Sequence, residues 1–291
     1  MQVLGIDIGG TTIKTGLFNE HGECFLHKEI PTQGDADETV LEYLIKEIEK
    51  LLPFDAIGIS VAGMIDAEAG VIVEGSVNIP GMDGIAIKDV LEKRFKVPVE
   101  IQNDVNAAAL GENAFGVGKG HGDFLFLAYG TGIGGAIIHQ SHLFSGQGSF
   151  AGEFGHMITH GNGRKCNCGM NGCYERYAST AALIREAEKI DSAYSNGRLL
   201  FEQFHAGNEQ VKAVISDWVD EIAIGLASLI HCFNPSTIIV GGGIMEQDVL
   251  IHMIQERIDD MIFNSFKEVS ILKASLGNKA GMLGAISLHT P

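Results

Sequence analysis

The sequence predicts an α/β protein made of two similar halves. Three observations support this. Strand-type apolar runs alternate with segments of helical periodicity along the chain. The stretch VLGIDIGGTTIKTGLF (3–18) reads as strand, glycine turn, strand, and FLFLAYGTGIGGAII (124–138) repeats that order. The 38 glycines lie between apolar runs rather than in linkers, and only 6 prolines accompany them.

Each element follows from its pattern. In ETVLEYLIKEIEKLL (38–52), Val40, Leu41, Leu44, Ile45, Ile48, Leu51 and Leu52 recur at helical spacing. DAIGISVAG (55–63) is a strand ending in glycine, IAIKDVLEKRF (85–95) an amphipathic helix and VPVEIQ (97–102) a strand, and DVNAAALGENAFG (104–116) opens a helix. After the second hairpin, ISDWVDEIAIGLASLIHCF reads as a long helix stopped at Asn234-Pro235, with Trp218 in its core. TIIVGGGI (237–244) is a short buried strand and DVLIHMIQERIDDMIF (248–263) a helix. A hinge between halves is expected near 107–120.

Composition narrows the function. Of 291 residues 45% are hydrophobic and 20% charged, which suits a globular chain with ample core. The start lacks a basic segment followed by an apolar one, and no apolar run approaches the roughly 20 residues of a membrane span. A cytoplasmic protein without a membrane partner is expected. A formal net charge of −17 with no Lys/Arg cluster opposes nucleic acid as a partner. An acidic chain that binds a polyphosphate must rely on backbone amides, helix dipoles and a divalent cation.

The glycine turns offer such amides. DIGGTT (7–12) lacks the P-loop spacing and leads into a strand, so a plain tight hairpin is one reading. The other is an anion site. Asp7 could hold Mg²⁺ or its waters, and GTGIGG (130–135) offers a second set of Gly and Thr donors. Gly241, Gly242 and Gly243 end a strand where a nucleotide could approach the backbone. In IQNDVNAAALGE (101–112), Asn103 or Asp104 is either a helix N-cap or, for Asp104, a base favoured in its ionised form by the helix N-terminus.

The segment GEFGHMITHGNGRKCNCGMNGCYE (152–175) carries a metal signature. His156, Cys166, Cys168 and Cys173 form a Cys₃His set suited to tetrahedral Zn²⁺, with His160 a rival for the fourth place. A closed four-ligand site is structural, stiffening a glycine-rich loop. Cys24 and Cys232 read as buried free thiols.

Taken together, these motifs resemble the ROK family of sugar kinases and related repressors. GIDIGGTTIK is similar to its first phosphate motif, NDVNAAALGE to its catalytic segment and YGTGIGGAI to its second phosphate motif. GEFGH with CNCGMNGCYE resembles its zinc signature, and IIVGGGI its adenosine motif. The similarity extends from residue 3 to AGMLGAI at 280–286.

The resemblance implies an actin-like ATPase (ribonuclease H-like) fold, two duplicated α/β domains around an interdomain cleft. The first would span 1–115, with 281–291 packing back on it, and the second 116–280. It implies ATP-dependent phosphorylation of a hexose, at the 6-hydroxyl, with Asp104 as general base. Gly63, Asn78, Asn103, Glu153, His156 and Glu175 would bind the sugar alongside Asp104. Asp7, Gly9, Gly10, Thr11, Thr12, Lys14, Gly130, Thr131, Gly132 and Gly241–Gly243 would bind ATP with Mg²⁺. His156 would ligate Zn²⁺ through one ring nitrogen and meet the sugar with the other. Thr12 stands where many members carry Lys, leaving Lys14 as the nearby cation. Met82 stands where the family's glucokinases often have Trp, which implies a more open rim and leaves the substrate open between glucose, N-acetylmannosamine, a β-glucoside and another hexose. The alternative within the family is a sugar-binding regulator without kinase activity; its helix-turn-helix would precede the first phosphate motif, where only six residues precede Asp7. A homodimer is expected by the same resemblance.

Overall fold

The computed structural model describes residues 1–34, 38–74 and 79–290. Two compact units divide the chain. The first comprises Met1–Gly122, Ser141–Ala151 and the C-terminal segment from Asn278; the second comprises Asp123–Gln140 and Gly152–Gly277.

The first unit opens with β1 (Gln2–Ile8), β2 (Thr12–Asn19) and β3 (Cys24–Pro31). Helix α1 (Val40–Glu49) starts at a capping box in which Thr39 and Glu42 satisfy each other's backbone N–H, and it buries Val40, Leu44 and Ile48 along one face. Strand β4 (Ala56–Val61), the small hairpin of β5 (Met64–Asp66) and β6 (Val71–Glu74), helix α2 (Ile87–Phe95) and β7 (Val99–Asn103) follow. Helix α3 (Asp104–Phe115) then runs unbroken. The sheet order is β3-β2-β1-β4-β7, with β1 antiparallel to β2 and parallel to β4, and β4 parallel to β7. Every residue of β4 is buried, as a central parallel strand covered on both faces requires.

The second unit repeats the design with β8 (Phe124–Tyr129) and β9 (Ile133–His139). The two-residue β10 (His142–Leu143) belongs to the first unit's excursion. Next come α4 (Glu175–Ala178), α5 (Thr180–Ala187), α6 (Gly197–His205), α7 (Glu209–Phe233), β11 (Thr237–Gly241), α8 (Asp248–Met261) and β12 (Ser270–Lys273). Strand β8 is antiparallel to β9 and parallel to β11, which is parallel to β12. Helix α7 buries Trp218, Ile222, Leu226 and Ile230 and ends at Asn234, whose left-handed backbone (φ 46°) turns the chain into Pro235. The last helix, α9 (Ala280–Ser287), returns to the first unit and packs on α3, β1 and β4.

Two expectations fail here. Met82 is wholly buried with Ile72, Ile79 and Ile87 in the first unit's core, so it opens no rim. Cys24 and Cys232 are exposed rather than buried: Cys24 lies on the outward-facing β3, and Cys232 in the exposed last turn of α7. No helix among the described residues is long and apolar enough to cross a membrane.

Candidate active site

In the first unit, the ends of β1, β4 and β7 bring the polar residues together. Asp7 and Lys14 are register partners on β1 and β2, with Lys14 Nζ 3.5 Å from Asp7 Oδ2. Ser60, on β4 beside Asp7, donates to Asp7 Oδ1 at 2.8 Å. The charge of Lys14 is therefore held by Asp7. Gly281 on α9 faces the same carboxylate: a Cβ there would lie 2.8 Å from both Asp7 Oδ1 and Ser60 Oγ. The sequence reading missed Ser60 and Gly281; register with Asp7 was the signal for the former.

The turn after β1 closes with the Gly9 N–H donating to Thr12 O at 3.0 Å. Buried Thr32 pins it by donating its hydroxyl to Gly9 O at 2.6 Å and its N–H to Thr11 O. Gly10 and the exposed Thr11 form the tip, with the Thr11 and Thr12 hydroxyls 3.3 Å apart.

Asn103 is the N-cap of α3: its Oδ1 accepts from Val105 and Asn106 N–H, and its Nδ2 donates to Gly63 O at 2.9 Å. Capping is thus done by Asn103, leaving Asp104 as the first helical residue. Asp104 accepts from Val105 N–H at 3.0 Å. Burial of its carboxyl raises its pKa, and the negative charge of Asp7 raises it further, against hydrogen bonds from Val105, its own N–H and Asn103. A desolvated carboxylate with a raised pKa is a stronger proton acceptor than an ordinary aspartate. Asn78 lies outside the described residues.

In the second unit, the turn Gly130-Thr131-Gly132 joins β8 to β9 and closes with Gly130 N–H donating to Gly132 O at 3.0 Å. Thr180 donates its hydroxyl to Tyr129 O at 3.1 Å. Gly130 and Thr131 line a groove of about 500 Å³ together with Arg185, Asn196 and Gly243. A second cavity of about 360 Å³, walled by Phe201 and His205, shares Thr180, Gly197, Gly243 and Ile244 with it, so the two are continuous. Of the three glycines that end and follow β11, Gly241 packs on Phe126 and Ala274, and only Gly243 faces the groove. Gly242 has φ +103°, and a Cβ there would meet Tyr129 O at 2.2 Å, so glycine is required.

The loop before α4 gathers His156, Cys166, Cys168 and Cys173, whose ligand atoms all lie within 4.8 Å of one another. Four convergent soft donors fit a tetrahedral Zn²⁺ complement. Burial pushes the Cys166 thiol up to about 12 and that of Cys173 upward, whereas the Met170 N–H lowers that of Cys168. Nδ1 of His156 is 3.9 Å from Cys166 Sγ, and its Nε2 is 3.9 Å from Glu153 Oε2, so the two ring nitrogens face different partners. Glu175 Oε1 accepts from Cys166 Sγ at 3.0 Å, and its other oxygen lies over Gly132. His160 is elsewhere, stacked on Tyr177 at 3.9 Å with Nε2 3.5 Å from Glu221. Tyr174, directly after Cys173, ties the loop to the core: its buried hydroxyl donates to Ile222 O and bonds the Tyr129 hydroxyl, each at 2.9 Å.

The sequence and fold have relatives. A glucokinase of Thermotoga maritima is 34% identical, covering 99% of this chain and 97% of its own. The crystal structure of a ROK family glucokinase from Streptomyces griseus in complex with glucose and AMPPNP is 31% identical with a TM-score of 0.85, covering 99% of both chains. A xylose repressor of Bacillus spizizenii is 30% identical, covering 98% of this chain and 76% of its own. The chain has the actin-like ATPase fold of these kinases. The ROK family profile matches residues 3–290, and with the motifs placed as described, the chain belongs to the ROK family.

Proposed function

We propose that this protein phosphorylates a hexose with Mg-ATP, Asp104 acting as the general base on the sugar hydroxyl. The observation that carries the reading is the half-buried carboxylate of Asp104 at the N-terminus of α3, its proton affinity raised by desolvation and by Asp7. Phosphoryl transfer asks the protein for positioning, charge neutralisation and a base. Gly63, Asn103, Asp104, Glu153, His156 and Glu175 are the sugar-binding residues of this reading, with Asn78 included by family pattern.

The groove in the second unit is the proposed nucleotide site, with Gly130, Thr131 and Gly243 offering backbone to phosphate and ribose and Gly132 completing the turn beside it. Gly9, Gly10, Thr11 and Thr12 are the other phosphate turn. Asp7 is the residue toward Mg²⁺, which with ATP neutralises phosphate charge that an acidic chain cannot. A structural Zn²⁺ held by His156, Cys166, Cys168 and Cys173 fixes the loop that carries Glu153 and Glu175. Glucose is the first candidate substrate: the feature that argued against it, Met82 at an open rim, is a core residue. The protein acts on small molecules, as a cytoplasmic homodimer in this reading.

The regulatory reading has a specific basis in the similarity to xylose repressors. Mg-ATP-dependent ADP release against glucose, mannose, N-acetylmannosamine and cellobiose separates the two. Turnover on one sugar is expected. Saturable sugar binding without ADP release would favour the regulator.

A further inference from the structure

The last residue of the second glycine turn faces away from the groove. Gly130 and Thr131 line the groove, whereas Gly132 does not. Gly132 has no positive φ, so its backbone conformation does not demand glycine. Space does. A Cβ on Gly132 would lie 2.5 Å from Glu175 Oε2 and 3.6 Å from Glu175 Cδ, and beyond its chain neighbours it would meet no other atom within 4 Å.

Nearby glycines differ. A Cβ on Gly130 would meet nothing within 4 Å. On Gly135 and Gly155 it would strike backbone, at 2.6 Å from Gly152 O and 2.0 Å from Ile133 O, so those two glycines serve the fold. Of the four, Gly132 alone is blocked by a carboxylate. That carboxylate has little freedom to yield. Glu175 opens α4 directly after Tyr174, whose buried hydroxyl is tied to Ile222 O and to Tyr129. Its other oxygen is 3.0 Å from Cys166 Sγ. Restoring ordinary contact with a Cβ would displace Oε2 by about 1 Å, enough to break a hydrogen bond to a ligand.

We propose that Gly132 is a positioning residue for the sugar: the missing side chain seats the Glu175 carboxylate against the turn, where it receives a sugar hydroxyl. The turn then faces the nucleotide with Gly130 and Thr131 and sets the sugar-binding carboxylate with Gly132. This role rests on Glu175 as a sugar ligand, as proposed above.

A double-mutant cycle tests it, by calorimetric titration of the full-length protein with glucose, mannose, N-acetylmannosamine, cellobiose and Mg-ATP. For whichever sugar wild type binds most tightly, Gly132→Ala should raise the dissociation constant about tenfold, and that for ATP less than about threefold. Gly130→Ala, which projects into the groove, should instead weaken ATP. Glu175→Asp should weaken the sugar about tenfold, but its oxygens would stand near the present Cδ, at ordinary contact distance from a Cβ on residue 132. In that background Gly132→Ala should therefore change sugar affinity less than about twofold. Should Gly132→Ala fold only beside Glu175→Asp, that rescue is itself the expected coupling. Unchanged sugar affinity in Gly132→Ala, equal losses in both backgrounds, or as large a sugar loss in Gly130→Ala would overturn the positioning role. Unaltered affinity in Glu175→Asp would instead count against Glu175 as a sugar ligand. Failure of wild type to bind any of these sugars would count against the sugar site itself. Either result takes the role of Gly132 with it.

Discussion

The turn at 9–12 and the turn at 130–132 are built alike. Each follows a central strand that is antiparallel to the next strand and parallel to a third, and each has a threonine hydroxyl donated to a nearby carbonyl, from Thr32 to Gly9 and from Thr180 to Tyr129. They differ in what the strands carry. At the pair next but one to the turn, the first hairpin places Asp7 opposite Lys14, and the second places Ala128 opposite Gly134. The first is charged and lies with Asp104, whose proton affinity Asp7 raises. The second is neutral and backed by Glu175 and the cysteine loop. One scaffold thus serves two tasks: electrostatics near the base in one copy, and a stiffened amide surface in the other.

The largest expected effect tests the charged half. Asp104→Asn should lower kcat by about 10²- to 10⁴-fold in an ADP-release assay. Because the folded carboxyl's pKa lies above its unfolded value, its ionised form penalises the fold at neutral pH, and this penalty starts to shrink as pH falls through the folded pKa and is gone below the unfolded one. Asp104→Asn should therefore melt no lower than wild type at pH 7, and any gain should shrink in acid. For the same reason the acid limb of kcat/KM should lie above the ordinary aspartate range near ~4.

Next is the stiffened half. Cys166→Ser, or exposure to a strong chelator, should lower the melting midpoint by roughly 5–10 °C and release zinc measurable by a colorimetric chelator. An unchanged midpoint with no zinc in the purified protein would remove the metal from the account.

The pinning threonines give a smaller contrast. Thr32 is 1% exposed, so Thr32→Val removes a hydrogen bond made by a buried hydroxyl and should cost about 1–3 kcal/mol in urea unfolding. Thr180 borders the open groove, where water can replace it, and Thr180→Val should cost less than about 1 kcal/mol. Equal costs would erase the distinction between the turns.

The smallest effect concerns Lys14. If its charge serves Asp7, as the 3.5 Å pair indicates, Lys14→Met leaves Asp7 unbalanced and moves the acid limb of kcat/KM further up, with KM for ATP changed less than about threefold. A tenfold rise in KM for ATP with no pH shift would make Lys14 a phosphate ligand instead.

Much of this was legible in the sequence where local physics dominates. The period of α1, with Val40, Leu44 and Ile48 buried, and the two hairpins are written in short-range pattern. So is the clustering of His156 with three cysteines, although spacing alone left His160 in contention until its stacking on Tyr177 separated it. What was not legible depends on long-range packing. The groove draws on Arg185, Asn196 and Phe201, which carry no motif; the N-cap role of Asn196 was the available hint of α6. Met82 was misjudged because a methionine after a turn looks the same at a rim or in a core until Ile72 and Ile79 close around it. Asn103 and Asp104 could each have been the cap, and only the bonds Asn103 Oδ1 accepts from the Val105 and Asn106 N–H groups show which one caps the helix.

The most direct test of the account measures ADP formation from Mg-ATP and glucose by wild type and Asp104→Asn, with glucose binding followed in parallel by calorimetry. The account predicts turnover by wild type, its loss in the variant, and glucose affinity within about threefold in both. Equal turnover by the two proteins would contradict Asp104 as the base.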